Sequence, residues 1–229
     1  MKKFFLSVVL PGIILSQSAD FRFDTMVCQD CDGYAKGVVN AASFWLSESP
    51  AINPMSNNRV LVQSGFSSLA RKLYGEFWTY PNLDFGIKLT NNLALTGKIF
   101  GFSAEKESPQ VLGAGFQYAY GGIDTLDWVT SVQRIDLKGL NHFRLTAITF
   151  DLRKWIQWKG IHFRIGGGSN FFKEQSYIAV AKMSSKLEGQ INFIGLDALY
   201  PISIFTTGIG ARIHPNRTML SLYLQKEIF

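Results

Sequence analysis

The chain is poor in the residues that most often build sites: two cysteines and three histidines in 229 residues. Two cysteines exclude a disulfide-dense scaffold and a four-cysteine zinc site. No segment approaches 18 consecutive apolar residues, so a helical inner-membrane protein is excluded. The basic excess, formally +6, is scattered along the chain apart from small groups such as Arg153-Lys154, which gives no footprint for nucleic acid. What the chain has in quantity is aromatic residues, 14% of the total, and stretches that alternate between apolar and polar.

The first residues, "MKKFFLSVVLPGIILSQSA", place Lys2 and Lys3 ahead of an uncharged, largely apolar run from Phe4 to Leu15 and end in small residues. That is the layout of a secretory signal peptide over 1-18, cut after Ser18 or, alternatively, after Ala19. The run is too short for a membrane-spanning helix, which needs about 20 residues. In "VCQDCDG" the second cysteine is followed by Asp32, where a haem attachment site needs histidine. An exported chain is then expected to join Cys28 and Cys31 in a disulfide closing a short loop. A redox role is the lesser alternative, because no βαβ pattern surrounds the pair.

Residues 19-58 form a mixed segment: a short helix is expected near Tyr34 to Leu46, then a loop at "SESPAINPMSNN" marked by Pro50 and Pro54. From Arg59 onward the chain reads as strands. In "LDFGIKLTNNLALTGKIFGF", Leu83, Phe85, Ile87 and Leu89 share one face, Asp84, Gly86 and Lys88 share the other, and Asn91-Asn92 supplies the turn. The same rhythm recurs. Ile161, Phe163 and Ile165 oppose His162, Arg164 and Asn170; Leu112, Phe116 and Tyr118 oppose Gly113, Gly115 and Gln117; Leu187, Ile191 and Phe193 oppose Glu188, Gln190 and Asn192.

Strands of about 10 residues with one apolar face, long for a soluble sheet and ending in aromatics, are the signature of a transmembrane β-barrel. The expected fold is all-β: an antiparallel transmembrane barrel over 59-229 of about 12 strands, with 10 the next choice. The less certain strands lie near 73-80 and 176-183. A soluble periplasmic β-sandwich also alternates and stays the competing fold. Both barrel termini are expected on the periplasmic side. The expected partners are outer-membrane lipid and, through the last strand ending at Phe229, the barrel-assembly machinery.

The stretch "AASFWLSESPAINPMSNNRVLV" resembles the start of a broad outer-membrane superfamily, the FadL-like transporters and the PorV/PorQ-like barrels of type IX secretion. Phe44 and Trp45 stand for its aromatic residue and Asn53, Pro54 and Met55 for its Asn-Pro-Ala motif, ahead of the first strand. The resemblance implies that residues 19-58 form a small hatch in or beside the barrel, with Phe44, Trp45, Asn53 and Pro54 in it.

No enzyme is expected. His142 and His214 sit near turns, His162 alternates with Arg164, and no nucleophile is spaced with any of them as in a known hydrolase. The glycines at 166-168 lack the lysine and helix of a phosphate loop, and no cofactor or metal is implied. The residues expected to line the lumen are Lys88, Gln117, His162, Arg164, Asn170, Gln190, Asn192 and Arg212. Two functions compete: binding or passing a small hydrophobic or amphipathic molecule through a narrow gated lumen, or acting as a non-transporting scaffold or secretion component. A lumen with a void favours the first and a filled lumen the second.

Overall fold

A computed structural model describes residues 19-22, 31-103, 107-122, 125-177 and 186-228. The signal peptide, the disulfide partner Cys28 and the terminal Phe229 lie outside the described residues.

Ten strands, β1 to β10, close into one antiparallel barrel: β1(Val60–Leu69), β2(Thr79–Lys88), β3(Leu93–Gly101), β4(Gln110–Gly122), β5(Thr125–Lys138), β6(Phe143–Trp158), β7(Ile161–Ser176), β8(Glu188–Ile202), β9(Phe205–His214) and β10(Arg217–Ile228). Each strand pairs with its sequence neighbours, and β1 pairs with β10 from Val60↔Ile228 to Leu69↔Met219, so no sheet edge is left open. The number is ten rather than twelve. The stretch expected as a strand near 73-80 is mostly the β1–β2 loop, because Pro81 shifts the pairing segment to Thr79–Lys88. Of the stretch expected as a strand near 176-183, Ser176 is the last residue of β7 and residues 178-183 lie outside the described residues; β7 pairs directly with β8.

The barrel has two unlike ends. At one, which we call the turn end, the connections are 89-92, 123-124, 159-160 and 203-204, and β1 begins and β10 finishes there. At the other, the loop end, three connections are long, 70-78, 102-109 and 177-187, and two are short, 139-142 and 215-216. Lys159 and Gly160, both at positive φ, make the tight β6–β7 turn.

One helix, α1(Cys31–Leu46), runs inside the barrel. Ala35, Val38, Val39, Ala41, Ala42, Phe44, Trp45 and Leu46 have no exposed surface, and they share one core with Leu137, Phe143, Leu145, Phe172, Ile191 and Phe193 of the inner wall. A 16-residue helix is about 24 Å long, so it occupies most of the barrel's height. Residues 47-58 then continue to the turn end and enter β1.

Outside, Ile87, Leu112, Phe116, Phe150, Ile194, Ile209 and Leu222 project from the wall and stay exposed, forming an apolar belt far larger than a water-soluble protein presents. Tyr120, Trp158 and Tyr200 stand at its turn-end margin, where aromatic girdles belong.

At the loop end the amphipathicity of β8 inverts. Ile191 and Phe193 point inward onto α1, while Gln190 and Asn192 point outward. Their assignment to the lumen is therefore corrected. The physical reason is that the longest strands project past the belt. Their outer face there meets water and carries polar pairs: Ser169 with Asn192, Gln190 with Asn192, and Lys173 and Lys186 with Glu188. Their inner face meets an apolar helix.

Phe150 lies mid-strand in the belt, whereas Asn192 lies on the polar extension. Phe150→Arg is expected to cost about 2 to 4 kcal/mol in urea unfolding from lipid vesicles, and Asn192→Arg no more than about 1 kcal/mol. Equal losses would show that the belt does not face lipid.

Candidate functional site in the plugged lumen

The centre of the lumen is organised by the end of α1. The last four carbonyls of a helix have no partner within it and carry the negative end of its dipole. Here no glycine follows Leu46; Ser47 N and Oγ close on Phe44 O and Glu48 N on Trp45 O, and the barrel wall supplies further donors. Asn170 Nδ2 donates to Ser43 O (2.8 Å), Arg212 Nη1 to Phe44 O (3.1 Å) and Trp45 O (3.3 Å), and Gln133 Nε2 to Leu46 O (3.2 Å). Thr149 on β6 holds Asn170 from behind, 2.9 Å away.

Glu48, two residues past the helix, lies in the same layer. Its Oε2 accepts from Arg212 Nη2 (2.8 Å), Ser67 (2.5 Å), Ser221 (3.0 Å) and Asn82 (3.0 Å). The plug thus supplies the counter-charge to a buried arginine of the wall. Trp45 packs beside this layer, stacked on Tyr80 at 4.9 Å and donating to Asn82 Oδ1 at 2.9 Å. Lys98 and Asp84, 3.0 Å apart, form a further buried ion pair on the wall.

Toward the turn end, Arg153 lies between Asp151 (2.8 Å) and Asp197 (2.5 Å), and Asp197 also meets Arg164 at 2.8 Å. Alanine at Gly195 would drive its Cβ into the Arg153 guanidinium, so the wall must be bare there. Arg164 Nη1 and Gln117 Nε2 both donate to Pro50 O, at 3.1 and 2.8 Å. Ala51 N donates to Gln63 Oε1 (3.1 Å), and Lys88 Nζ donates to Ser56 O (2.5 Å). Ser56 in turn bonds Glu227.

Of the expected lumen set, Lys88, Gln117, Arg164, Asn170 and Arg212 are buried against the plug, and His162 faces inward beside Trp155, ring centroids 6.1 Å apart. Gln190 and Asn192 are outside. Phe44 and Trp45 are at the centre of the lumen and not at its mouth, while Asn53 and Pro54 are at the turn end. Lys88 is 9% exposed and holds the segment's backbone. Ile87 lies at the turn-end margin of β2, where an arginine is cheaper than at mid-belt.

Sequence reasoning missed Glu48, Asn82, Lys98, Gln133, Asp151, Arg153 and Asp197. Alternation along "LALTGKIF" and "TFDLRKW" does place Thr96 with Lys98 and Asp151 with Arg153 on one face. Glu48 has no such signal, because it lies in a loop.

A cavity of about 520 Å³ remains at the turn end, lined by apolar residues such as Leu199 and Phe205 and polar ones such as His162 and Gln225. It stops at the buried layers above. Among the described residues no cluster of three or more His, Cys, Asp or Glu side chains could hold a metal ion.

No protein-family description and no curated protein matches the chain. Several solved structures align with the chain, three of them as follows. The translocator domain of the autotransporter NalP from Neisseria meningitidis aligns with TM-score 0.44 at 9% identity, over 82% of this chain and 91% of that one. Ail, the attachment invasion locus protein of Yersinia pestis, aligns with TM-score 0.26 at 9% identity, over 75% and 98%. The monoaromatic hydrocarbon channel CymD aligns with TM-score 0.24 at 8% identity, over 76% and 90%. The class defined by the coordinates themselves is a closed ten-stranded antiparallel barrel threaded by its own N-terminal helix.

Removing Arg212 takes a wall donor from the helix terminus and leaves Glu48 buried without a cation. Arg212→Ala is expected to cost about 3 to 5 kcal/mol in urea unfolding. Adding Glu48→Gln to it should recover part of that loss. A single-variant loss below about 1 kcal/mol would contradict the pairing.

Proposed function

We propose that this chain is an outer-membrane barrel with a sealed lumen, acting as a membrane-anchored scaffold rather than as a passage. A closed barrel with an apolar outer belt pairs every strand on both sides, which is what spanning a bilayer with strands requires. The signal peptide read from the sequence routes such a chain to the outer membrane.

The observation that carries the sealed lumen is the set of buried groups across its middle. Gln63, Ser67, Asp84 and Asn170 have no exposed surface, and Lys98 and Arg212 are nearly as enclosed. Water does not reach them, so neither ions nor a larger solute pass that layer. The plug is also held at both ends of the barrel. Ala19 N donates to Thr79 O at the loop end, and Lys88 holds Ser56 O at the turn end. A hatch tethered on one side can swing away, whereas a segment tethered on both must unfold within the lumen. Gated transport of a small hydrophobic molecule would require that step, which breaks the Glu48, Arg212 and Asn170 contacts together.

The reconstituted full chain is expected to leave planar lipid bilayers non-conducting, and a chain lacking residues 19-57 to conduct. Sustained openings of the full chain would overturn the scaffold reading and restore passage.

A further inference from the structure

The contacts of residues 19-22 place them at the loop end of the barrel. Ala19 N donates to Thr79 O at 3.1 Å, and Thr79 is the first residue of β2 at the loop end. On the β3 side, β2 is paired only from Asp84 to Lys88, so Ala19 takes up one of the carbonyls left free above. Phe21 is fully buried among Trp45, Tyr80 and Phe102, with ring centroids 6.0 to 6.3 Å apart. Phe102 follows β3 at the loop end. The first turn of α1 lies at the same end, where Tyr74 of the β1–β2 loop donates to Gly33 O and Tyr34 O. From there the chain descends through the lumen, passes Pro50 and Ser56, and enters β1 at the turn end.

Residues 19-22 and the final strand's end at Ile228 therefore lie on opposite faces of the barrel. Both termini cannot be periplasmic. Outer-membrane barrels keep short turns toward the periplasm and long loops outside. We infer that this barrel presents its mature N-terminus on the cell exterior, docked among the long loops, so that a peptide joined ahead of Ala19 is carried to that face. The inference rests on the membrane-spanning scaffold reading. It rests too on removal of the signal peptide, and it adds a display function: residues 19-22 join the long loops on the outer surface. It also constrains assembly, because β1 cannot close on β10 with residues 19-46 left on the periplasmic side unless they are threaded afterwards.

The test uses the full chain with both native cysteines replaced by serine and single cysteines introduced as Asp20→Cys, Lys186→Cys at the loop end and Lys159→Cys at the turn end. Intact and permeabilised cells are labelled with a membrane-impermeant maleimide. The expected result is labelling of Asp20→Cys and Lys186→Cys in intact cells, and of Lys159→Cys only after permeabilisation. Asp20→Cys labelled only alongside Lys159→Cys would overturn the display inference while leaving the spanning barrel standing. Equal labelling of the Lys186 and Lys159 variants in intact cells would overturn the spanning reading and the inference with it. A short epitope placed directly ahead of Ala19, probed by antibody on intact cells, gives the same discrimination if Asp20→Cys disturbs the docked segment.

Discussion

The middle of this barrel is closed off from bulk solvent, so the polar groups of its inner wall depend on protein partners. Here the partner is the chain's own N-terminal segment, and the contact between the end of α1 and Arg212 is where the dependence is greatest. Arg212 meets two helix carbonyls, the Ser47 hydroxyl, the Glu48 carboxylate and Ser221. Without the helix, an arginine and an asparagine of the wall would lose these partners. Without the wall, Ser43 O and Leu46 O would lose their side-chain donors and Glu48 its cation. Each solves the other's problem, and the lumen is sealed as a consequence.

The same dependence sets the composition of the wall. Where the wall meets the upper turns of α1 it is apolar, as at Phe143, Leu145 and Phe193; where it meets the irregular segment after Leu46 it is polar and charged, as at Gln63, Gln117 and Arg164. Glycine appears where the wall must make space: at Gly86 a Cβ would come within 2.5 Å of Ile52 Cδ1. The inner face is thus a mould of the plug, more than a lining for a solute.

Much of the barrel was legible because alternation is local. The faces of β2, β4 and β7, and the inward placement of Lys88, Gln117, Arg164 and Asn170, follow from a period of two and the assumption of lipid outside. That assumption fails where β8 rises past the belt, and there Gln190 and Asn192 read inward when they are outward. Strand number failed at Pro81, where a loop and a strand share one apolar stretch. The threading of the lumen was not legible at all. Its deciding contacts join residues far apart in sequence, such as Asn170 with Ser43 and Arg212 with Glu48, and nothing local to Glu48 marks it as a counter-ion. Reading residues 19-58 as a plug or hatch in or beside the barrel named Phe44 and Trp45, which the structure buries inside it, and left the path through the lumen open.

The central claim is that α1 is as permanent a part of the barrel as the strands around it. Residue-level hydrogen exchange of the reconstituted full chain tests this most directly. The account predicts that amides from Val38 to Leu46 exchange as slowly as those of β6 and β7, because they open only when the barrel does. Exchange of those helix amides within minutes, beneath strands that remain protected, would show that the plug leaves the lumen on its own and would contradict the account.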